Sequence, residues 1–353
     1  MSKKIIFADQ LRVLAFLSVV IVHWFGTFWI ERNLVSSAIY APPVTSADPG
    51  WYSKLVPTFL PDFNFGPFGV ALFFLISGFV IPFSCRAKSA KGFIFSRALR
   101  IYPTYALSLL LTISAVYITS KLFWGATPNI SWKTFLANIT LTQTLVMAPS
   151  LDLVNWTLAI EIKFYIACFL LRQLIVKNKF YPFIILSIAT FFMNLQHQHY
   201  PGMLAMDMMF VTYMSIGVLF NYHFIGSMST PKVYAYGIIQ LFIFWKTLQI
   251  SQIAPQTPVE IICVTYALII FTGCYLIRDK FKATKTMSFL SGISFPFYAL
   301  HSVIGYCMLR LMVERGVNYL AATATAFIVI IILATCVHRI IERRSIAWGK
   351  LCK

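Results

Sequence analysis

Arg12 and His23 stand eleven residues apart in DQLRVLAFLSVVIVH, within a run that is otherwise almost wholly apolar from Asp9 to Trp29. Eleven residues of α-helix advance roughly 16 Å and leave the two side chains within roughly 20° of one face. One helix wall then presents a cation near a membrane surface and an imidazole at depth. An ionisable group inside a bilayer is costly and marks a functional site by default. With an ordinary pKa of about 6.5, an imidazole takes and returns protons at neutral pH, as general acid–base chemistry requires. The plainer alternatives are an arginine snorkelling to the headgroups and a histidine bonded to a neighbouring helix.

Further polar residues interrupt later apolar runs. Glu161 and Lys163 lie in NWTLAIEIKFY, with Tyr165 one turn beyond Glu161. A buried carboxylate needs a partner or a proton. Glu161 is therefore expected either to pair with Lys163 or an arginine of the third span, or to orient His23 or a basic group. His301, in SFPFYALH, is a second imidazole candidate or a bond between helices, whereas Asp207 near the end of its span is expected to be wet. His197, His199 and His338 read as turn or tail residues too scattered for a metal site. Of seven cysteines, five fall in apolar runs and Cys85 and Cys352 near basic ends, with no CxxC spacing. They read as small buried hydrophobes.

The elements that must carry these residues follow from composition. The 353 residues are 59% hydrophobic and 11% charged, whereas soluble domains are roughly 45–50% apolar and about 25% charged. The mean hydropathy is +0.77. The chain is expected to be an all-α polytopic membrane protein with about ten spans, near 10–30, 66–84, 101–119, 156–171, 180–195, 203–220, 234–250, 259–277, 288–311 and 320–337. The first span lacks a following cleavage signal and reads as retained. A net charge of +18 would suggest nucleic acid in a soluble protein. Here most Lys and Arg fall at one set of span ends, the positive-inside pattern, with both termini cytoplasmic. Residues 1–338 form the expected membrane domain and 339–353 a basic cytoplasmic tail. The 31–65 segment reads as a long external loop, 86–100 as a basic loop, and 135–148 as a re-entrant or interfacial piece too short to span. Gly66, Gly69 and Gly78 in the second span permit close helix contact.

Five motifs in order resemble the membrane acyltransferase-3 family, integral-membrane O-acetyltransferases of bacterial surface glycans. DQLRVLAFLSVVIVH is similar to its opening motif, placing the family's arginine and histidine on Arg12 and His23. GVALFFLISGFVI resembles the second-span signature, with Ala71 where an acidic residue is common. FSRALRIYPTY carries Arg97, Arg100, Pro103 and Tyr105; NWTLAIEIKFY carries Trp156, Glu161, Phe164 and Tyr165; SGISFPFYALH ends on His301.

The resemblance implies a multi-pass protein of the bacterial inner membrane that takes an acetyl group from cytoplasmic acetyl-CoA. Its acceptor would be a hydroxyl of a polysaccharide or lipid-linked glycan, such as lipopolysaccharide O-antigen or exopolysaccharide. With no soluble domain after the last span, a stand-alone enzyme is expected. His23, Glu161 and His301 are then the catalytic candidates, with His23 as general base or acyl carrier. Arg12, Arg86, Arg97 and Arg100 are candidates for the donor phosphates, since arginine makes bidentate charge-assisted bonds. Loop 31–65 is the candidate rim of the acceptor groove. Rival readings are a transporter of a glycan or lipid-linked sugar and a non-catalytic scaffold, though no duplicated half supports the transporter.

Overall fold

The computed structural model describes residues 5–351, and every regular element among them is helical. Cys352 lies outside the described residues. The principal helices are α1 (Ile6–Ile30), α2 (Phe65–Ala87), α3 (Ala90–Trp124), α4 (Asn155–Leu170), α5 (Tyr181–Leu195), α6 (Leu204–Phe224), α7 (Thr230–Gln249), α8 (Thr257–Leu276), α9 (Lys285–Glu314), α10 (Tyr319–Val337) and α11 (Arg343–Leu351). Seven stretches are long and apolar enough to cross a membrane: α1, α2, α3, α6, α9, Ala254–Leu276 containing α8, and Tyr319–Leu351 containing α10 and α11. The other three expected spans coincide with the helices α4, α5 and α7.

Helix α1 is central because its two apolar faces enter different cores. Phe7, Leu11, Ala15 and Val19 pack with α2, α4, α6 and α8, while Val13, Phe16, Val20, Trp24 and Phe28 pack with α9 and α10. Arg12 and His23 occupy a strip between them. At Val22–Thr27 the helix widens into a π-helical turn that contains His23. Such turns are rare and concentrate at functional sites. The Trp24 indole N–H donates to the His301 carbonyl at 3.0 Å, and the Tyr319 hydroxyl donates to the Trp24 carbonyl. Both anchors hold the widened turn against α9 and α10.

Close helix approach needs glycine at two crossings. A Cβ on Gly78 of α2 would strike the Met214 carbonyl of α6, and one on Gly217 of α6 would strike the Leu75 carbonyl of α2. A Cβ on Gly305 of α9 would lie 2.5 Å from the Trp24 indole nitrogen.

Several expected boundaries are corrected. The segment expected as a basic loop up to Arg100 belongs largely to α3, which begins at Ala90 after Ser89 accepts from the Gly92 N–H. Arg97 and Arg100 are thus helical, and Pro103, which an expected span of 101–119 puts in its first turn, lies well inside α3. The 31–65 segment contains the short helices Arg32–Ile39 and Trp51–Leu55. It is tied down where Arg32 donates to the Val44 carbonyl at 2.9 Å and Arg310 of α9 donates to the Pro42 carbonyl at 3.1 Å. The 135–148 piece is folded as helix Trp132–Ile139, a turn and helix Gln143–Val146. Its buried Asn138 accepts from the Asn155 amide at 2.7 Å, and its carbonyl accepts from the Tyr105 hydroxyl at 3.0 Å, fixing the start of α4. After a π-helical turn at His338–Glu342, α11 continues the chain and lays Gly349 against Ser96 of α3.

Candidate active site

Three cavities adjoin one another along the Arg12–His23 strip of α1. The outermost, about 690 Å³, opens among Asp9, Arg12, Val80, Phe83, Arg278 and Asp279. Arg12 and Val80 also line the middle cavity, about 110 Å³, with Arg97, Arg100, Glu161 and Tyr165. Val70, Phe74 and Tyr298 are shared between that cavity and an inner one of about 140 Å³, which contains His23, Trp156, Tyr213 and Glu260. Arg12 and His23 therefore share a face as their spacing predicts, but serve different chambers.

At the inner chamber two imidazoles meet edge to face, with ring centroids 5.1 Å apart and planes at 89°. His23 Nδ1 lies 2.6 Å from the Tyr306 hydroxyl, so Nε2 is the nitrogen left for a ligand. His301 Nδ1 lies 2.8 Å from the Tyr298 carbonyl. A carbonyl only accepts, so this nitrogen carries the proton and His301 Nε2 presents a lone pair. That Nε2 is buried without a hydrogen-bond partner. The Tyr298 hydroxyl, 2.8 Å from Thr157 Oγ1, fixes the aromatic wall between the middle and inner chambers. His301 thus belongs to the same cluster as His23, one layer behind the cavity wall.

Glu161 lies in the middle chamber, not beside His23. Its Oε1 accepts from the Tyr165 hydroxyl at 2.5 Å and from Ser77 Oγ at 3.2 Å. The expected pairing with Lys163 is replaced: Lys163 Nζ meets Asp207 at 2.9 Å, and Thr144 Oγ1 donates to the same carboxylate oxygen at 2.8 Å. Asp207, expected to be wet, is fully buried because this cation neutralises it and locks α4 to α6.

The four arginines separate by position. Arg12 pairs with Asp9 at 2.8 Å and lines the outer and middle chambers. Arg97 lies over the Tyr165 ring at 5.8 Å and faces the middle chamber. Arg100 reaches the same chamber while meeting Glu342 at 3.3 Å; Glu342 in turn holds His338 Nδ1 at 2.6 Å, giving that histidine a definite partner. Arg86 lines none of the three chambers. It donates to Asn221 at 2.7 Å and Asn178 at 2.8 Å, over the Tyr222 ring, and braces α2 against α6. Loop 31–65 contributes little to the inner chamber, whose nearest lining groups on that side are Gly66 and Pro67 of α2.

Sequence reasoning did not single out Glu260, Tyr306 or Arg278 as site residues. Arg278 stands at the outer chamber, 4.7 Å over the Tyr275 ring. Glu260, beside Pro258 in the first turn of α8, resembles any solvated carboxylate in sequence. Tyr306 sits among apolar residues, and only the fold shows that its hydroxyl meets His23. The family motif at Tyr298 was visible, without a hint that its ring divides two chambers.

Helices long and apolar enough to cross a membrane make this an all-α, multi-pass membrane protein with a buried imidazole pair. A family model described as an acyltransferase domain matches residues 5–339, and the chain belongs to the acyltransferase-3 family. No curated protein and no solved structure matches it.

Proposed function

We propose that this acyltransferase moves an acetyl group from acetyl-CoA to a hydroxyl of a surface or periplasmic glycan in the bacterial inner membrane. The observation that carries the reading is the succession of chambers from a charged mouth, where Arg12 and Arg278 stand with Asp9 and Asp279, through the arginine-lined middle chamber to His23. Arg12 and Arg278 at the outer chamber would meet the donor's phosphates in competition with Asp9 and Asp279, and Arg97 and Arg100 would supply the excess of positive charge in the middle chamber. The middle chamber offers a narrow passage for the thioester arm toward Tyr298. Lys and Arg concentrate at this end, which matches a donor made in the cytoplasm.

In the inner chamber His23 Nε2 takes the proton of the acceptor hydroxyl as its oxygen attacks the thioester carbonyl. The C–S bond then breaks, the thiolate leaves, and the proton passes from His23 to give free CoA thiol and an ester. During proton transfer the imidazolium Nδ1–H donates to Tyr306, a bond that strengthens with charge. Glu161 acts one chamber away, holding Tyr165 beside Arg97 rather than orienting His23. His301, with its unprotonated Nε2 in the same cluster, is a second proton acceptor behind His23.

Incubating the protein in lipid nanodiscs with acetyl-labelled CoA and isolated surface glycan tests the activity. Label should appear on glycan in a linkage removed by mild alkali. Label retained on CoA, or glycan transported with no label attached, would contradict it.

A further inference from the structure

We propose that Glu260 positions the acceptor, accepting hydrogen bonds from vicinal hydroxyls of a sugar that rests on Trp156 in the His23 chamber. This inference rests on the acyl-transfer reading and assigns the acceptor side of the same site. Glu260 stands in the first turn of α8, across the inner chamber from α1. Its wall neighbours Val19, Val70 and Ala71 offer no hydrogen-bonding side chain, and no arginine or lysine lines this chamber. The Tyr213 hydroxyl is already donated to the Val264 carbonyl at 3.0 Å. Among the described residues no hydrogen bond or ion pair engages the Glu260 carboxylate. Glu260 is only partly buried, so its carboxylate is open to a ligand's donors, and a pair of neighbouring hydroxyls supplies two.

The rest of the wall fits the same ligand class. Trp156, half-buried with its ring 6.0 Å from that of Phe210, offers an apolar face for the C–H side of a pyranose. Glu260 and Trp156 both lie in the first turns of their helices, and Gly66 and Pro67 at the start of α2 border the same chamber. An acceptor therefore comes from the helix ends opposite the Arg12 mouth, while the donor comes through the middle chamber. The carboxylate and indole hold the sugar, and His23 receives its proton. A simpler role for Glu260, complementing the dipole at the N-terminus of α8, would affect folding alone.

The test measures selectivity within one sample. Full-length protein in nanodiscs receives acetyl-CoA with methyl β-D-glucopyranoside, methyl α-D-mannopyranoside or methyl α-L-rhamnopyranoside, in competition with 1-propanol. In Glu260→Gln the ratio of glycoside to propanol ester should fall about tenfold or more, the loss expected for hydrogen bonds to a charged group. Glu260→Asp should recover part of that ratio, and Trp156→Ala should lower it as well. A purely structural role would reduce both esters together and leave the ratio unchanged, overturning the proposal. So would a wild-type protein that acetylates propanol but none of the glycosides. Consumption of no acetyl-CoA with any acceptor would instead remove the acyl-transfer reading, and the positioning role with it.

Discussion

At the scale of single residues, the decisive contact is between His23 Nδ1 and the Tyr306 hydroxyl at 2.6 Å. It fixes the ring and leaves Nε2 free, the atom that acts on the acceptor in the proposed reaction. Because the bond becomes charge-assisted only when His23 holds a proton, its worth is greatest in the transition state. Tyr306→Phe should therefore lower kcat by about tenfold to a hundredfold while leaving the KM for acetyl-CoA nearly unchanged. A variant whose kcat stays within twofold of wild type would contradict that role. The sequence made His23 and His301 legible, since an imidazole in an apolar run is expensive wherever it points. Arg86 read equally well as a phosphate ligand, yet Asn178 and Asn221, far away in sequence, engage it. Glu260 was hidden for the converse reason: a carboxylate beside turn prolines looks solvated until folding places it opposite His23.

At the scale of elements, apolar runs revealed where the membrane helices lie, and their ends were less legible. α3 extends back through Arg97 and Arg100 because RALR is built from good helix formers and Ser89 caps its start. A loop and the basic opening turns of a helix carry the same charge signal, so charge alone does not separate them. The π-helical turn at Val22–Thr27 had no visible signature in composition. It depends on a tertiary fit, in which Trp24 reaches the His301 carbonyl over the bare backbone of Gly305. Gly305→Ala should displace the indole and destabilise the protein by about 1–3 kcal/mol. Thermal unfolding in detergent would register this as a lower Tm, and Trp24→Phe in the same background should restore part of it by removing the crowded indole nitrogen. An unchanged Tm for Gly305→Ala would show that the contact does not set this packing.

At the scale of the molecule, α1 divides two cores and borders the chambers with the strip that neither core claims. The outer chamber is large and charged, the middle one narrow, and the inner one mixed apolar and acidic. In the proposed reaction this gradient would separate donor and acceptor by direction of approach, with His23 where they would meet. Helical spacing alone makes the shared face of Arg12 and His23 legible. It does not reveal that Tyr298 stands between their chambers, since that wall comes from α9, far along the chain.

The most direct measurement compares wild type with His23→Ala in nanodiscs, reading acetyl transfer to glycan together with binding of acetyl-CoA and Tm. With proton transfer as the lost function, transfer should fall at least about a hundredfold, while donor binding and Tm stay close to wild type. Near-normal transfer by a folded His23→Ala protein would contradict the account.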